Sequence, residues 1–173
     1  MLFSLVGDDV IRAMLRVARE TPPGCFVEVG VYKGGTAQHL TQLAEEQGRS
    51  IFLYDTFTGI PYAEEFDTHK LGDFGDTNFS QVRAALPSAT VVQGIFPESA
   101  VDMGPIAFVH LDCDQYRSYK DAFTYLLPRC QSGTVIWFDD FGCLEGANRA
   151  VHEQFGLEQL ILNTECNKTY VRL

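Results

Sequence analysis

The sequence predicts an α/β fold: a mostly parallel, Rossmann-like sheet with helices on both faces, closing in a C-terminal antiparallel hairpin. Three observations carry this reading. Short apolar runs alternate with segments of helical period along the chain, the pattern of a parallel sheet covered by helices. A glycine-bearing loop follows the first apolar run, where the ligand crevice of such sheets lies. The last two runs, 159–162 and 169–172, are separated only by the turn-like stretch 163–168. Strands joined that closely pair antiparallel, since a parallel crossover needs about a dozen residues or more.

Taken in order, Asp8 or Asp9 is placed to cap a first helix in which Val10, Ile11, Met14, Leu15 and Ala18 share one face. Thr21-Pro22-Pro23-Gly24 ends it. Residues 25–29 read as the first strand, buried on both sides, and a helix over 36–47 follows the loop 30–35. The second strand covers 51–54 and ends at Asp55. The stretch 56–75 is long, irregular and rich in aromatic and acidic residues, and loops of that length in compact domains tend to be functional or disordered. A helix over 78–86, strands over 89–93 and 106–111, a helix over 118–127, a strand over 134–138 and a helix over 145–155 complete the parallel part.

The length of 173 residues suits one domain over 1–173, and the 46% hydrophobic content supports a real core. Thirteen basic against 23 acidic residues give a net charge of -10, which argues against nucleic acid and anionic membrane partners. The same excess suits divalent cations, whose usual ligands are carboxylates. Cys25, Cys113, Cys130, Cys143 and Cys166 are odd in number with no Cys-x-x-Cys pair, so reduced thiols are expected. The apolar start 1–6 is short, lacks a basic leading region and meets Asp8-Asp9 at once, unlike a signal peptide. No later apolar run is long enough to span a bilayer, and a cytoplasmic protein is expected.

The loop Glu28-Val29-Gly30-Val31-Tyr32-Lys33-Gly34-Gly35-Thr36 has the composition of a binding turn. Gly30 permits a tight turn, Gly34-Gly35 let a ligand approach the backbone, and the following helix offers free N–H groups to an anion. Its G-x-x-x-G-G spacing departs from the dinucleotide pattern and suits an amino-acid carboxylate better than a pyrophosphate. Asp55, at the end of the second strand, lies where a carboxylate would reach ribose hydroxyls, with Thr56 beside it. Gln93 and Gly94, after the third strand, would flank an adenine.

Asp112 and Asp114 follow the fourth strand, and Asp139-Asp140 follow the fifth. If those strands are neighbours, four carboxylates converge at one sheet edge. Carboxylates crowded together call for a cation, and an all-oxygen set suits Mg²⁺ first, then Mn²⁺ or Ca²⁺. A neighbouring carboxylate or histidine could accept a proton there. Among weaker candidates, His110 reads as a hydrogen-bonded core histidine, His69 as a surface residue of the acidic loop with some scope as a mobile base, and His152 as a helix-surface residue. Tyr116 either lines the substrate mouth or packs under the next helix.

Together these motifs resemble the macrocin-type (TylF/MycF-like) sugar O-methyltransferases. The similar segments are 26–35, Tyr54-Asp55-Thr56-Phe57-Thr58-Gly59-Ile60-Pro61, 94–99, 111–118, Asp139-Asp140-Phe141-Gly142 and 146–151, in order across about 25–155. The resemblance implies a class I methyltransferase that uses S-adenosylmethionine and Mg²⁺ (or Mn²⁺) to methylate a hydroxyl of a sugar or glycoside. Asp112, Asp139 and Asp140 match its metal-binding aspartates, Asp112 or Asp114 its base, and Gly30 and Asp55 its cofactor contacts. Two departures stand out: a short segment before the first strand, where the family's longer one helps cover substrate and pair subunits, and Cys113 where glycine is common. A homo-oligomer is therefore an open expectation. The competing readings are a metal-independent small-molecule methyltransferase, a nicotinamide-dependent oxidoreductase, and a non-enzymatic fold that binds a protein through 56–75.

Overall fold

The computed structural model describes residues 2–173. Among them, seven strands form one sheet: β1 (Cys25–Val29), β2 (Ile51–Asp55), β3 (Thr90–Gln93), β4 (Ile106–Leu111), β5 (Cys130–Phe138), β6 (Leu160–Asn163) and β7 (Lys168–Arg172). Their spatial order is β3-β2-β1-β4-β5-β7-β6. β1 to β5 pair in parallel, and β7 runs antiparallel to both β5 and β6. The closing hairpin is thus folded back, with its second strand inserted against β5. That insertion is invisible in a hairpin's own sequence, which specifies its turn and not its neighbour.

The helices are α1 (Asp8–Arg19), α2 (Gly35–Glu46), α3 (Phe79–Ala85), α4 (Tyr116–Leu126) and α5 (Glu145–Gln154). α1 to α3 cover one face, burying Met14, Leu40, Leu43 and Val82 against Phe26, Leu53, Phe108 and Trp137. α4 and α5 cover the other, burying Tyr119, Phe123 and Val151 against Val27, Val109, Ile136 and Phe138. No helix links β3 to β4 among the described residues; instead Phe96, Ala100 and Met103 of that irregular segment pack on the α4/α5 face. β1 and β4 are buried along their whole length, which explains why they read as apolar runs without alternation.

Boundaries moved in places for local reasons. Neither Asp8 nor Asp9 caps α1: Gly7 is the N-cap, and both aspartates occupy the first turn, where their charge still favours the positive end of the helix. Asn78 is the cap of α3, its side chain accepting the Gln81 N–H, and β5 begins at Cys130 rather than at 134. No helix of the described residues is long and apolar enough to cross a membrane.

Strand register positions everything that follows. The hydrogen-bond ladder continues one residue past each central strand: Gly30 N donates to Tyr54 O, Asp112 N to Val29 O, Asp139 N to Leu111 O and Gly94 N to Asp55 O, each at 2.9 Å. The tips of β2, β1, β4 and β5 are therefore level. The chain leaves β1 toward β2 but leaves β4 toward β5, so the two loops diverge and open a crevice between them. Gly30 sits where they still touch. Its φ is +94°, and a Cβ there would lie 1.7 Å from the Asp112 carbonyl oxygen.

Gly30→Ala should therefore lower stability by about 3 kcal/mol, combining left-handed strain with an unrelieved backbone clash. Urea unfolding followed by circular dichroism measures this; a wild-type midpoint would contradict the close apposition of the β1 and β4 tips.

Candidate active site

The crevice opens into a cleft of about 330 Å³, within the size range of small-molecule sites. Of the residues singled out in the sequence, Gly30, Tyr32, Gly35, Thr36, Asp55, Thr56, Gly94, Asp112, Asp114, Asp139 and Asp140 line it. Glu28, Gly34 and Gln93 do not. Glu28 is fully buried beneath the cleft and bonded to His110, so it supports the floor rather than facing a ligand. Gly34 is the left-handed N-cap of α2, and Gln93 is exposed, reaching the Thr56 carbonyl at 3.4 Å.

The glycine loop is held by Asp55. Its Oδ2 accepts the N–H groups of Val31 at 2.8 Å and Tyr32 at 2.7 Å, and its Oδ1 accepts Phe57 N–H at 2.6 Å. A carboxylate has about four acceptor positions, so Asp55 organises the turn through three of them while still lining the cleft. Gly35 lines the cleft and also meets protein: a Cβ there would lie 2.3 Å from the Phe3 carbonyl oxygen. The backbone that approaches this glycine is the chain's own N-terminal segment, tied down by Leu2 N–H donating to Gln38 Oε1 at 2.9 Å. Phe3, Ser4, Leu5 and Val6 form one wall of the cleft, a contribution that nothing in their short apolar run announces.

The aspartates do converge. Asp112, Asp139 and Asp140 each offer an oxygen, and these oxygens lie within 4.8 Å of one another. Leu111 and Phe138 are register partners, which makes Asp112 and Asp139 neighbours across adjacent strand tips. Asp140 is fixed from two sides, its Oδ2 accepting the Asp114 N–H at 3.0 Å and lying 2.9 Å from the Tyr119 hydroxyl. Burial, and then the neighbouring carboxylates, raise the pKa values of Asp112, Asp114 and Asp140. Asp139 differs. Burial opposes its charge, but His110 and then Lys168 outweigh that and hold its pKa below the usual range.

Those two bases complete the site. Lys168, at the start of β7, lines the cleft and donates to the Asp139 carbonyl and, at 3.1 Å, to Asp139 Oδ2. Sequence reading missed it because it looks like a turn residue; only the insertion of β7 beside β5 brings it here. His110 is a buried core histidine as expected: its Nδ1 lies 2.8 Å from Oε1 of its register partner Glu28. Its Nε2 lies 3.9 Å from Asp139 Oδ1, and neither atom has a hydrogen-bond partner.

Above the aspartates lies the loop 56–78, stitched down on both sides. Tyr32 donates to Asp76 Oδ1 at 2.7 Å, Asp67 Oδ1 accepts the Tyr116 N–H at 3.1 Å, and Gln115 Nε2 donates to the His69 carbonyl at 3.0 Å. His69 is therefore no free surface residue; it lines the cleft with its ring 3.5 Å from Asp114. Tyr116 stays outside, packed on Phe66 with its hydroxyl donating to Glu153. His152 is exposed on α5.

A carboxylate triad at the C-terminal edge of a sheet in the order 3-2-1-4-5-7-6 invites comparison with known proteins. The chain is 27% identical over 169 residues to the 8-demethyl-8-(2,3-dimethoxy-alpha-L-rhamnosyl)-tetracenomycin-C 4'-O-methyltransferase of Streptomyces olivaceus, covering 86% of this chain and 64% of that protein. It thus spans just under two thirds of that relative's length. Among solved structures, the O-methyltransferase NovP superposes with a TM-score of 0.85 at 19% identity, covering 98% of this chain and 81% of that one. An O-methyltransferase from Bacillus cereus in complex with SAH superposes with a TM-score of 0.62 at 13% identity, covering 97% and 80%. These likenesses establish the fold as that of Rossmann-like methyltransferases. The model of one family, macrocin-O-methyltransferase (TylF), matches residues 6–167, and the chain belongs to that family.

Proposed function

We propose that this protein transfers a methyl group from S-adenosylmethionine to a hydroxyl of a small molecule, a sugar or glycoside, with Mg²⁺ (or Mn²⁺) at Asp112, Asp139 and Asp140. The observation that carries it is the triad of carboxylate oxygens within 4.8 Å at the cleft floor, in a chain of this family. The named substrate of the Streptomyces relative, a rhamnosyl group, supports a sugar hydroxyl as acceptor. The SAH complex of the Bacillus cereus enzyme supports the methyl donor.

The donor set suits a hard cation. All three ligands are oxygens, and Asp139 Oδ1 is buried without a partner. A cation there would neutralise crowded carboxylates and acidify a hydroxyl placed against it. S-adenosylmethionine supplies an electrophilic methyl: the C–S bond breaks with its electron pair going to sulfur as the acceptor oxygen bonds carbon.

The residues of the chain do the rest. Gly30, Tyr32, Gly35, Thr36, Asp55, Thr56 and Gly94 shape the donor side of the cleft. Asp114 accepts the hydroxyl proton. It faces the same cleft, and its carboxylate is free of the triad, whereas Asp112 belongs to it. Ile60 and Phe74 supply apolar wall beside the more exposed Phe3 and Leu5, which limits water near the acceptor.

Lys168 favours a second reading, in which its ammonium is the resident cation and no metal is needed. Chelation separates the two. With labelled S-adenosylmethionine and an aryl α-L-rhamnoside, chelator should abolish turnover and Mg²⁺ should restore it. Full turnover in chelator, lost in Lys168→Met, would establish the second reading instead.

Asp114→Asn should lower kcat by about 10²–10⁴-fold while leaving the affinity for S-adenosylmethionine, measured calorimetrically, intact.

The metal-free protein should lose stability as pH rises. Asp140 and Asp114 have folded pKa values raised to about 6 and about 8, by burial first and then by carboxylate neighbours. An acid raised in this way favours the folded state below its unfolded pKa, and that contribution fades as pH climbs through the folded value. Tm recorded from pH 5 to 9 should therefore fall, and saturating Mg²⁺ should restore it most at the alkaline end. A Tm indifferent to Mg²⁺ at every pH would remove the cation from the triad.

A further inference from the structure

The proposed reaction leaves unused the histidine of the loop 56–78. We propose that His69 is a positioning residue. Its imidazole holds the Asp114 carboxylate from the loop side, so the base is aimed at the acceptor only while the loop is docked. The inference rests on the reading of Asp114 as the base.

Asp114 needs such a partner. Its backbone is left-handed, with φ at +58°, and is pinned by its N–H donating to Asp140 Oδ2 at 3.0 Å. Its side chain is not pinned. Among the described residues, His69 is the one basic side chain within 4.0 Å, with Nε2 at 3.5 Å from Oδ1. An Nε2–H turned toward Oδ1 would leave Oδ2 to take the proton of an acceptor hydroxyl.

The placement of His69 is built into the fold. Asp67 Oδ1 accepts the Tyr116 N–H at 3.1 Å, the His69 carbonyl accepts from the fully buried Gln115 side chain at 3.0 Å, and the His69 ring meets Asp114. Residues 67–69 thus run along 114–116 as a short clasp. The ring of Phe74 packs edge-on against His69 at 4.9 Å and fixes its plane. Loop docking and base orientation are therefore one event.

His69→Phe keeps the packing on Phe74 and removes both ring nitrogens, whereas His69→Gln restores a donor near Nε2. Turnover of an aryl α-L-rhamnoside should fall by about 10- to 100-fold in kcat for His69→Phe, the scale of a misaimed catalytic group, with KM for S-adenosylmethionine unchanged. His69→Gln should recover part of it. In an Asp114→Asn background, His69→Phe should cause no further loss, because both changes remove the same contribution. Without acceptor, deuterium uptake over 61–77 should rise in His69→Phe. Asp114→Asn at wild-type turnover would sink the base assignment, and this inference with it. A disabled Asp114→Asn beside a fully active His69→Phe would sink this inference only, as would losses that multiply in the double variant. If the rhamnoside is not turned over, wild-type uptake over 61–77 in His69→Phe overturns the clasp by itself.

Discussion

Charge crowding at the tips of β4 and β5 is the constraint around which this molecule is built. Asp112, Asp114, Asp139 and Asp140 face one cleft, and Glu28 lies buried just below. In water such groups would keep apart; here strand register forces them together, because Asp112 and Asp139 each follow the last residue of adjacent parallel strands. Burial makes the repulsion worse by weakening solvent screening. The surroundings answer it with Lys168 on Asp139, the Glu28–His110 pair beneath, and the Tyr119 hydroxyl on Asp140. The raised pKa values that remain show that the answer is partial. That remaining crowding is what the cation proposed above would relieve.

The scaffold that imposes this crowding is rigid where it must be. β1 and β4 are buried throughout, and the ladder that continues past their ends ties Gly30 to Tyr54, Asp112 to Val29 and Asp139 to Leu111. The mobile-looking parts are equally anchored. Asp55 holds the glycine loop through three N–H groups, the N-terminal segment rests on Gly35, and the loop 56–78 is bonded to the glycine loop on one side and to the start of α4 on the other. The cleft is thus lined by pieces distant in sequence, each held by hydrogen bonds that involve a side chain and a neighbouring loop or helix.

Several site residues were readable because their chemistry is out of place locally. Aspartates directly after apolar strands, as in Leu111-Asp112 and Phe138-Asp139-Asp140, have no reason to be there unless the strand ends face something polar. Glycines spaced G-x-x-x-G-G before a helix mark a turn of unusual backbone shape. Yet their tasks were only partly legible. Asp55, expected to face ribose, also holds the loop backbone, and Gly35, expected to admit a ligand, also packs against Phe3 and Ser4. A residue type states what contacts are chemically allowed, and the partner is decided by what folds against it.

The sequence by itself determined the α/β alternation, the positions of the strand ends, and hence which carboxylates and glycines stand at the functional edge, because hydrophobic period and turn chemistry are local properties. Only the tertiary structure decided which strands are neighbours. That choice inserts β7 beside β5 and brings Lys168 to Asp139, pairs Glu28 with His110, lays the N-terminal segment along the cleft, and sets His69 against Asp114. Each of these contacts joins residues at least 29 positions apart. No local preference encodes such a meeting; it exists because burying both faces of the sheet leaves one arrangement in which they touch.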